Sequence, residues 1–479
     1  MFTLSMIESS MFKMRFQLTK ILGLALGSII WINMSSCANI IPPSGGARDS
    51  LPPKLLSALP KDSAVNVNPK LITLNFNEYV TLQNVNDNLI VSPTIKNNPL
   101  IDYKLKTVTI KLKDSLDPNT TYSLHFGEAI RDVNEGNILR NFAYVFSTGK
   151  TIDNFTYKGK VYLAEKGKID TTLIVILHNN LNDSAIVKER PRYYTRINGK
   201  GEFSFSNLSA GTFRVYVLPN DFTRKYDDST KLFAFKSENL VISKNTPYDT
   251  LYAFEAFKRV EKITRAAETS TKNPKEDKRL KYGADFEGGQ QDLLSNLNLS
   301  FNRKLQSVDS SKIAFCDSNY QPLKGYQIVL DTSKTKISFI YPWKELSSFR
   351  IVISKDAIKD TSGISLSKTD TIRFITKKES DYGSIKLRFV NLNLAKHPIL
   401  QVVQSDNIVE SIPLKSAELN RKLYKPGSYD LRILYDTNQN GIWDTGSFGK
   451  INKQPEIVRL ISKVFTVKGN WDNEVTITL

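Results

Sequence analysis

The chain has 479 residues, of which 40% are hydrophobic and 10% aromatic. This composition excludes a fibrous repeat and a disordered tail, and the length allows three or four domains of ~100–150 residues. Lysine and arginine outnumber aspartate and glutamate by 66 to 48, a net charge of +18. Neither a long Lys/Arg run nor an aromatic-interleaved basic motif accompanies this charge. We therefore expect no nucleic-acid partner and a basic surface that is spread over the chain.

The N-terminus has the charge and hydropathy pattern of an export signal. Three basic residues between positions 13 and 20 precede ILGLALGSIIWI, an uncharged run at residues 21–32. This run is short for a bilayer core of about 30 Å, and it suits the apolar part of a signal peptide. Two serines then lead directly into Cys37.

The stretch NMSSCAN around Cys37 resembles the lipobox of bacterial lipoproteins, although Met34 replaces the usual leucine. The resemblance implies cleavage before Cys37, lipidation of that cysteine and attachment to a membrane. The alternative is an ordinary signal peptide or membrane anchor in which Cys37 is incidental. Bacteroidota lipoproteins that reach the cell surface carry an acidic cluster after the cysteine, and only Asp49 stands there. The resemblance therefore implies an outer-membrane lipoprotein of the cell envelope that faces the periplasm.

The rest of the chain is predicted to be all-β, as tandem β-sandwiches. Short alternating runs such as LITLNF, TVTIKL and FRVYVL recur, with Asn, Asp, Gly and Pro between them, which is typical of antiparallel sandwiches. AELNRKLY, residues 417–424, is the best candidate for a short helix. Cys316 alternates with apolar residues in KIAFCDSN and is predicted to be a small buried residue at the end of a strand.

Two parts of the chain repeat each other. LITLNFNEYVTLQNV at 71–85 matches LNLSFNRKLQSVDSS at 297–311, and both are followed by strands that lead to A-I-x-D and a glycine turn. These motifs resemble the SbsA-type bacterial Ig-like domain. The second copy is degenerate, since Phe349 stands where the family has a tyrosine.

A second pair of parts also repeats. GTFRVYVLPND at 211–221 matches GSYDLRILYDT at 427–437, and both resemble transthyretin-like, carboxypeptidase-regulatory domains. Their order behind a lipobox resembles that of Ig-like domain-containing lipoproteins of the Bacteroidota. The predicted segments are 1–36 (lipoprotein signal peptide), 37–52 (lipidated cysteine and tether), 53–150 (Ig-like), 154–257 (transthyretin-like), 258–283 (charged linker), 284–377 (degenerate Ig-like) and 380–479 (transthyretin-like). The alternative for the linker is a strand-pairing insertion within one domain.

One loop has the spacing of a calcium site. The candidate ligands are Asp436, Asn438, Asn440, the carbonyl of Ile442, and Asp444, with Gly441 at the sharp turn. Ca²⁺ prefers six to eight oxygen ligands, and this loop has only two carboxylates and Ser447 at the twelfth position. The pattern therefore predicts a weak Ca²⁺ loop, with a dissociation constant of ~10⁻⁴–10⁻³ M. The alternative is a hairpin turn at Asn440-Gly441 held by the side chain of Asp436.

The sequence contains no recognisable catalytic motif. His125, His178 and His397 lie far apart and form no zinc motif, and no nucleophile elbow or phosphate-binding loop is present. Four carboxylates lie near predicted turns and are expected to be solvated loop acids: Glu78, Glu128, Asp132 and Glu135. We predict no catalytic residues, and no cofactor other than the weakly held Ca²⁺.

These features predict a non-enzymatic, lipid-anchored envelope protein that acts as a structural spacer or as a docking platform for another envelope protein. The alternative is a glycan- or peptidoglycan-binding module, which a groove lined by Trp343, Trp443 or Trp471 would favour. An unrecognised hydrolase is a third hypothesis and would need a cleft with convergent acids. The sequence does not predict an oligomeric state.

Overall fold

The computed structural model describes residues 48–257, 279–286 and 288–479, together with Thr19 and Gly23. Cys37, almost all of the predicted signal peptide and most of the predicted linker lie outside these residues. The described chain forms strands β1 to β34 and only short helical turns, which confirms the all-β prediction. Within the described ranges, no helix has the length and apolarity needed to cross a bilayer. The predicted domain boundaries stay predictions.

The first group of strands forms two facing sheets around one apolar core. Its strands are β1 Leu55–Leu59, β2 Leu71–Phe76, β3 Val80–Leu82, β4 Ile90–Ser92, β5 Leu100–Lys104, β6 Thr107–Lys111, β7 Thr121–His125, β8 Ile130–Asp132 and β9 Ala143–Ser147, with a helical turn at Val85–Asn88. The sheets have the orders β1-β2-β6-β5 and β4-β7-β9, and β3 pairs with β8. Alternate residues point inwards, so that Ile72, Leu74 and Phe76 are buried on one strand.

The second group has two sheets with a different order. Its strands are β10 Phe155–Leu163, β11 Leu173–His178, β12 Tyr193–Arg196, β13 Glu202–Leu208, β14 Gly211–Pro219, β15 Ala234–Phe235, β16 Leu240–Ile242 and β17 Asp249–Ala253, with a helical turn at Ala185–Lys188. One sheet is β13-β10-β17, in which β10 and β17 are parallel. The other is β12-β11-β14-β15, with β16 also paired to β14. Strand β11 is buried along its whole length, because both of its faces are covered.

The third group repeats the sheet orders of the first. Its strands are β18 Tyr282–Ala284, β19 Gln290–Gln291, β20 Leu297–Phe301, β21 Leu305–Val308, β22 Ile313–Asp317, β23 Gln327–Leu330, β24 Lys336–Ile340, β25 Ser348–Ile353, β26 Ile358–Asp360 and β27 Asp370–Thr376, with a 3₁₀ turn at Ser310–Lys312. The order β18-β20-β24-β23 corresponds to β1-β2-β6-β5, and the row β22-β25-β27 corresponds to β4-β7-β9. Cys316 is buried near the end of β22, as predicted.

The fourth group repeats the second. Its strands are β28 Gly383–Val390, β29 Pro398–Gln404, β30 Asn407–Pro413, β31 Glu418–Tyr424, β32 Gly427–Tyr435, β33 Ile457–Val467 and β34 Asp472–Thr478, with 3₁₀ turns at Glu379–Asp381 and Leu394–Lys396. The sheets are β31-β28-β34, with β28 and β34 parallel, and β30-β29-β32-β33. These orders match β13-β10-β17 and β12-β11-β14 of the second group.

The predicted short helix at AELNRKLY is wrong, because this segment forms β31. It pairs antiparallel with β28, and Leu419 packs against the core of the fourth group. Glu, Leu, Arg and Lys favour helix locally, but the long-range ladder and the burial of Leu419 decide the conformation.

The prediction of solvated turn acids is wrong for Asp132. Its side chain is buried, and its oxygens accept hydrogen bonds from the backbone N–H groups of Glu135 (2.6 Å), Gly136 (2.9 Å) and Asn137 (2.8 Å). Burial opposes ionisation, but these bonds hold the pKa of Asp132 below its usual value. Asp360 at the repeated position binds the N–H groups of Ser362 and Ile364 in the same way. The two aspartates therefore fix the glycine turns that follow them.

The other three acids of that prediction are at least partly accessible to solvent. Glu128 is exposed and forms an ion pair with Arg140, which is exposed as well. Glu78 and Glu135 are half-buried. Partial burial and the neighbouring carboxylates of Asp132 and Asp49 raise the pKa of Glu78.

Candidate functional site: the docking loop at residues 436 to 456

The connection from β32 to β33, residues 436–456, is the candidate functional site, and we call it the docking loop. The equivalent connection of the second group, residues 220–233, runs from β14 to β15. The docking loop begins with the predicted Ca²⁺ motif and ends at Glu456. Between these points it leaves its own sheet and packs on the second group of strands.

Two buried carboxylates hold the base of the docking loop. Asp436 is 2% exposed, and its oxygens accept hydrogen bonds from the backbone N–H groups of Asn440 (3.3 Å) and Gly441 (2.8 Å). Glu456 is 4% exposed and accepts hydrogen bonds from the N–H groups of Thr437 (2.7 Å) and Asp444 (3.1 Å). Gly441 has φ +84°, a backbone conformation that favours glycine. The two acids therefore close the loop onto the start of β33.

The remaining candidate ligands lie around Asp444. The side-chain amides of Asn438 and Asn440 both donate hydrogen bonds to the same carboxylate oxygen of Asp444, the second at 2.9 Å. Ile442 is exposed, and its N–H group donates to the side-chain oxygen of Asn440 at 2.9 Å. The loop thus brings the predicted residues together, and the side chains of Asp436, Asn438, Asn440 and Asp444 each accept a hydrogen bond within the loop.

The residue types of the docking loop suit a hard cation, and one of them, Glu456, lies outside the pattern that predicted the site. Glu456 supplies a third carboxylate at the loop base, twelve residues after Asp444, where the sequence shows only an isolated acid after a proline. No group of three or more His, Cys, Asp or Glu side chains in the described part of the chain is arranged to hold a metal ion. The Ca²⁺ site at residues 436–444 stays a prediction.

The repeated loop of the second group uses a lysine in the same region. The Lys231 ammonium lies 2.5 Å from a carboxylate oxygen of Asp221 and 2.5 Å from one of Asp227. Burial opposes ionisation of Asp221, but hydrogen bonds from Lys231 and Thr223 hold its pKa below the usual value. A fixed ammonium group thus joins two acids in this copy, which therefore needs no metal ion to neutralise them.

Calcium addition tests the prediction for the docking loop. With a dissociation constant of ~10⁻³ M, 10 mM Ca²⁺ is expected to stabilise the folded chain by about 1.4 kcal/mol relative to chelator. The measurement is thermal melting of the full chain in Ca²⁺ and in chelator. Asp444→Asn is expected to abolish the difference, whereas Asp221→Asn in the repeated loop is expected to retain it. Identical melting curves for the unmodified protein in both buffers would refute the site.

The tip of the docking loop is a closed turn that presents an aromatic side chain. Ser447 and Lys453 exchange two backbone hydrogen bonds of 2.9 Å. Phe448 inserts from this turn into a cluster of aromatic rings on the second group. Its ring centroid lies 4.9 Å from that of Phe233 and 5.2 Å from that of Phe235. Both of these phenylalanines are buried.

The approach of the tip is close enough to require glycine at position 446. A Cβ atom on Gly446 would lie 2.7 Å from the carbonyl oxygen of Lys453 and 2.7 Å from the ring of Phe254. Real Cβ atoms do not approach other atoms so closely, and the backbone carbonyl is not free to move aside. Gly446 thus lets the tip contact the second group directly.

Hydrogen bonds surround the aromatic contact. The hydroxyl of Thr445 donates to the carbonyl of Glu255 at 2.6 Å, and Gln454 donates to the carbonyl of Phe235 at 2.9 Å. Asn452 donates to the carboxylate of Asp183 at 2.9 Å. The contact therefore has an apolar centre and a polar rim, which is the usual arrangement of a specific interface.

A cleft of about 410 Å³ lies between the docking loop and the second group. Its lining includes Arg432 and the acids Glu165, Glu255 and Asp444. Arg432 is 9% exposed, and its Nε donates to the side-chain oxygen of Gln401 at 2.8 Å. Burial lowers the pKa of Arg432, whereas the nearby charges of Glu165 and Asp406 oppose this change. The lining thus has three acids against one arginine, a balance that does not favour an anionic ligand.

The three tryptophans of the glycan hypothesis lie in different environments. Trp343 packs among the rings of Tyr341 and Phe349 in the third group. Trp443 is half-buried under the docking loop and donates to the carbonyl of Glu456. Trp471 is 62% exposed, with the ammonium of Lys468 5.0 Å from its ring centroid. The three rings line no common groove, but Trp443 alone lines the cleft of about 410 Å³, which is an observation in favour of the glycan hypothesis.

Comparisons with known proteins support the fold of the first group. The family model described as Bacterial Ig-like domain matches residues 49–148. The search of curated proteins gives no match.

Three of the similar solved structures are the Bacillus anthracis TIE protein, the major pilin subunit BcpA of Bacillus cereus and the BSP domain of a biofilm associated protein. The first is 11% identical, with 91% of this chain and 76% of that chain covered and a TM-score of 0.17. The second is 9% identical, with coverages of 68% and 99% and a TM-score of 0.16. The third is 11% identical, with coverages of 83% and 97% and a TM-score of 0.16. On the basis of the family match, the chain contains a bacterial Ig-like domain over residues 49–148.

Proposed function

We propose that this chain is a non-enzymatic, lipid-anchored protein of the cell envelope, in which stacked β-sandwiches act as a structural spacer and as a docking platform for another envelope protein. The observation that carries this proposal is the docking loop. This loop joins the fourth group of strands to the second group, although the third group lies between them in the sequence. Such a contact favours a stiff assembly over a string of independent domains.

Contacts between the first and second groups support stiffness as well. The N–H group of Thr94 donates to the carbonyl of Arg192 at 2.8 Å, which extends backbone pairing across the junction. The guanidinium of Arg192 forms an ion pair of 2.6 Å with Asp117. The side chain of Arg196 donates to the carbonyl of Asn88 at 3.3 Å. These bonds restrain rotation about the short connection between the two groups.

The third and fourth groups are joined in a similar way. The N–H group of Leu293 donates to the hydroxyl of Tyr382 at 2.8 Å, and burial is the main cause that raises the pKa of this tyrosine to about 12. The ammonium of Lys425 lies 3.1 Å from a carboxylate oxygen of Asp292. Each sandwich is therefore fastened to another one by directional polar bonds.

The use of the buried acids favours a structural role over a catalytic one. Asp132, Asp360, Asp436 and Glu456 are each less than 5% exposed. All four accept hydrogen bonds from backbone N–H groups of turns. A carboxylate engaged in this way orders a loop and is poorly placed to exchange a proton with a substrate.

The anchor of the proposal is Cys37. Each acyl CH₂ group that enters a bilayer contributes ~0.8 kcal/mol, and two or three chains hold a protein stably on a membrane. Lipidation would leave the residues between Cys37 and β1, rich in proline and glycine, as a tether to the first sandwich.

Substitution of the cysteine tests the anchor. Cys37→Ser is expected to abolish metabolic incorporation of labelled palmitate and to move the protein from the membrane fraction to the soluble fraction. Cys316→Ala is the matched control, because Cys316 is buried in β22 and is expected to leave both readouts unchanged. Retention of label and membrane association by Cys37→Ser would contradict lipid anchoring.

A further inference from the structure

An arginine pair lies on the outer face of the third group. Arg350 on β25 and Arg373 on β27 are direct cross-strand partners, and Cys316 on β22 completes the row. Their neighbours Phe349 and Phe374 point to the opposite side and pack in the core. Successive side chains of a strand alternate between faces, so both guanidinium groups are directed away from the core.

Tyr320 joins the two arginines. Its ring is 49% exposed, and the backbone at this residue has φ +62°. The guanidinium of Arg350 lies over the tyrosine ring, 4.4 Å from its centroid, and donates to the tyrosine hydroxyl at 2.9 Å. Hydrogen bonds from Arg373 and Arg350 hold the pKa of Tyr320 below its usual value. The three side chains form one cluster, which we call the arginine pair site.

Within the described part of the chain, no acidic side chain is paired with the arginine pair site. Like charges placed directly opposite each other on a sheet are destabilising. In the residues that the structure describes, neither Arg350 nor Arg373 forms an ion pair with an acidic side chain. The polar partner of both guanidinium groups is a phenol, which is a much weaker acceptor than a carboxylate. The geometry leaves donors on both arginines available for an oxyanion.

The repeated sheet of the first group shows that the fold does not require these arginines. There the stacked pair Tyr122 and Phe146 occupies the place of Phe349 and Phe374. The positions equivalent to Arg350 and Arg373 are therefore Ser123 and Val145. Ser123 is buried, and Val145 exchanges hydrogen bonds with residues 62 and 63.

The same face of the first group is an internal contact surface. His125, two residues after Ser123 on β7, lies against the second group, with its Nε2 3.4 Å from the hydroxyl of Ser206. Strand β7 also contacts β13. In the first group this face thus contacts the second sandwich, with His125 of β7 at the contact. In the other copy it presents two arginines and a tyrosine to solvent.

We propose that the arginine pair site binds a carboxylate carried by an acidic segment of a protein partner. This proposal rests on the docking role proposed above and names where and by what chemistry the partner is recognised. A guanidinium fork matches a carboxylate with two parallel hydrogen bonds, and Arg and Tyr are the residue types enriched at interface hot spots. The corresponding face of the first sandwich lies against the second sandwich of the same chain, so this face of the fold already packs on protein, which favours a protein partner over a polysaccharide or a lipid surface.

A labelled acidic peptide tests the site. The probe is fluorescein-labelled hexaglutamate, added to the full chain purified in detergent and followed by fluorescence anisotropy, with hexaglutamine as the uncharged reference. The double variant Arg350→Gln/Arg373→Gln is expected to bind hexaglutamate at least about tenfold more weakly than the unmodified chain, because two charge-assisted contacts are lost. Hexaglutamine is expected to bind neither protein.

A charge-matched control separates the site from the general basic surface. Lys336→Gln/Lys368→Gln also removes two positive charges from exposed positions of the third group and is expected to change the affinity less than about twofold. Equal weakening by both double variants would overturn the proposal, since it would show attraction by net charge alone. Wild-type affinity in Arg350→Gln/Arg373→Gln would overturn it as well.

Hydrogen exchange locates the bound peptide independently of affinity. Saturating hexaglutamate is expected to protect amides at 317–323, 348–353 and 370–376, and protection confined to other segments would contradict the site. Oligogalacturonate and vesicles with anionic lipid are compared at equal charge. Stronger protection of these segments by either one would replace the protein partner with a glycan or a membrane. None of these readouts depends on Cys37, so failure here would leave the anchoring proposal intact.

Discussion

Replacement of Phe448 by alanine is expected to release the docking loop from the second group. Phe448 is half-buried among Tyr216, Tyr226, Phe233 and Phe235, so its removal leaves a gap that neighbouring side chains fill only in part. Loss of a buried phenylalanine costs ~3–5 kcal/mol, and we expect about 2 kcal/mol for this half-buried ring. Amide hydrogen exchange in the peptide that spans 445–456 is therefore expected to be roughly thirtyfold faster.

The repeated loop supplies a matched control for this experiment. Phe222 stands near the equivalent of Asn438 in the loop after β14 and is 88% exposed. Phe222→Ala removes the same atoms from water rather than from a contact, and is expected to alter exchange at 445–456 by less than about twofold. If Phe448→Ala leaves exchange at 445–456 unchanged, the aromatic contact does not hold the loop, and the main support for a stiff spacer is lost.

Acidification is expected to destabilise the chain through His178. This residue is 1% exposed at the end of β11, and both of its ring nitrogens lack a hydrogen-bond partner among the described residues. Burial lowers its pKa to about 4, against an unperturbed value of 6.5, while the charge of Glu189 opposes the shift weakly. The unfolded chain therefore binds a proton in the interval between these values, and the folded chain does not.

The sign of the pH effect follows from this difference. Above pH 6.5, His178 is neutral in both the folded and the unfolded chain, and it does not lower the free energy of unfolding. As pH falls towards 4, protonation of His178 in the unfolded chain lowers the free energy of unfolding by roughly 3 kcal/mol in total. His125, whose pKa burial also lowers, is expected to add to the same slope. The measurement is the free energy of unfolding by denaturant between pH 4.5 and 7.5.

Two variants assign the slope to His178. His178→Leu is expected to flatten the pH dependence, because it removes the titrating group and its two unpartnered nitrogens while keeping an apolar side chain in the core. His397→Asn is the control, since His397 is exposed and asparagine tolerates its left-handed backbone, φ +48°. A slope that persists in His178→Leu would show that other groups account for the acid sensitivity.

Most of the fold was predictable, because alternation of apolar residues reports directly on which face of a strand is buried. LITLNF became β2, with alternate residues buried as expected. GTFRVYVLPND contains β14, but six consecutive residues of this strand are buried, because both of its faces are covered. The internal repeats were predictable for the same reason, and the sheet orders repeat as well. AELNRKLY was mispredicted because its local preference for helix carries no information about the distant strand β28.

The candidate site was predictable only in part. The spacing of Asp436, Asn438, Asn440 and Asp444 showed a loop closed by polar side chains, and the structure brings these residues together. Glu456 was missed because it lies twelve residues farther along, outside the local pattern. Phe448 was missed because an isolated phenylalanine in a glycine-rich loop does not indicate what it contacts.

The arginine pair site shows the same limit. Arg350 and Arg373 are 23 positions apart in sequence, and nothing in RIVI or IRFI distinguishes them from scattered basic residues of a chain with net charge +18. Only the register of β25 against β27 makes them direct neighbours, and only the turn before β23 places Tyr320 beside them.

The sequence by itself determined the all-β class, the repeated strand patterns, the Ig-like stretch and the lipobox-like signal, because each depends on residues that are close in the chain. The tertiary structure alone decided which loop joins the second and fourth groups and which charged residues meet on the third. Those outcomes depend on pairing register and on contacts between segments far apart in the chain, such as that of Thr445 with Glu255, 190 residues away. Periodicity in one strand shows which face is buried, but it does not show which distant surface covers that face.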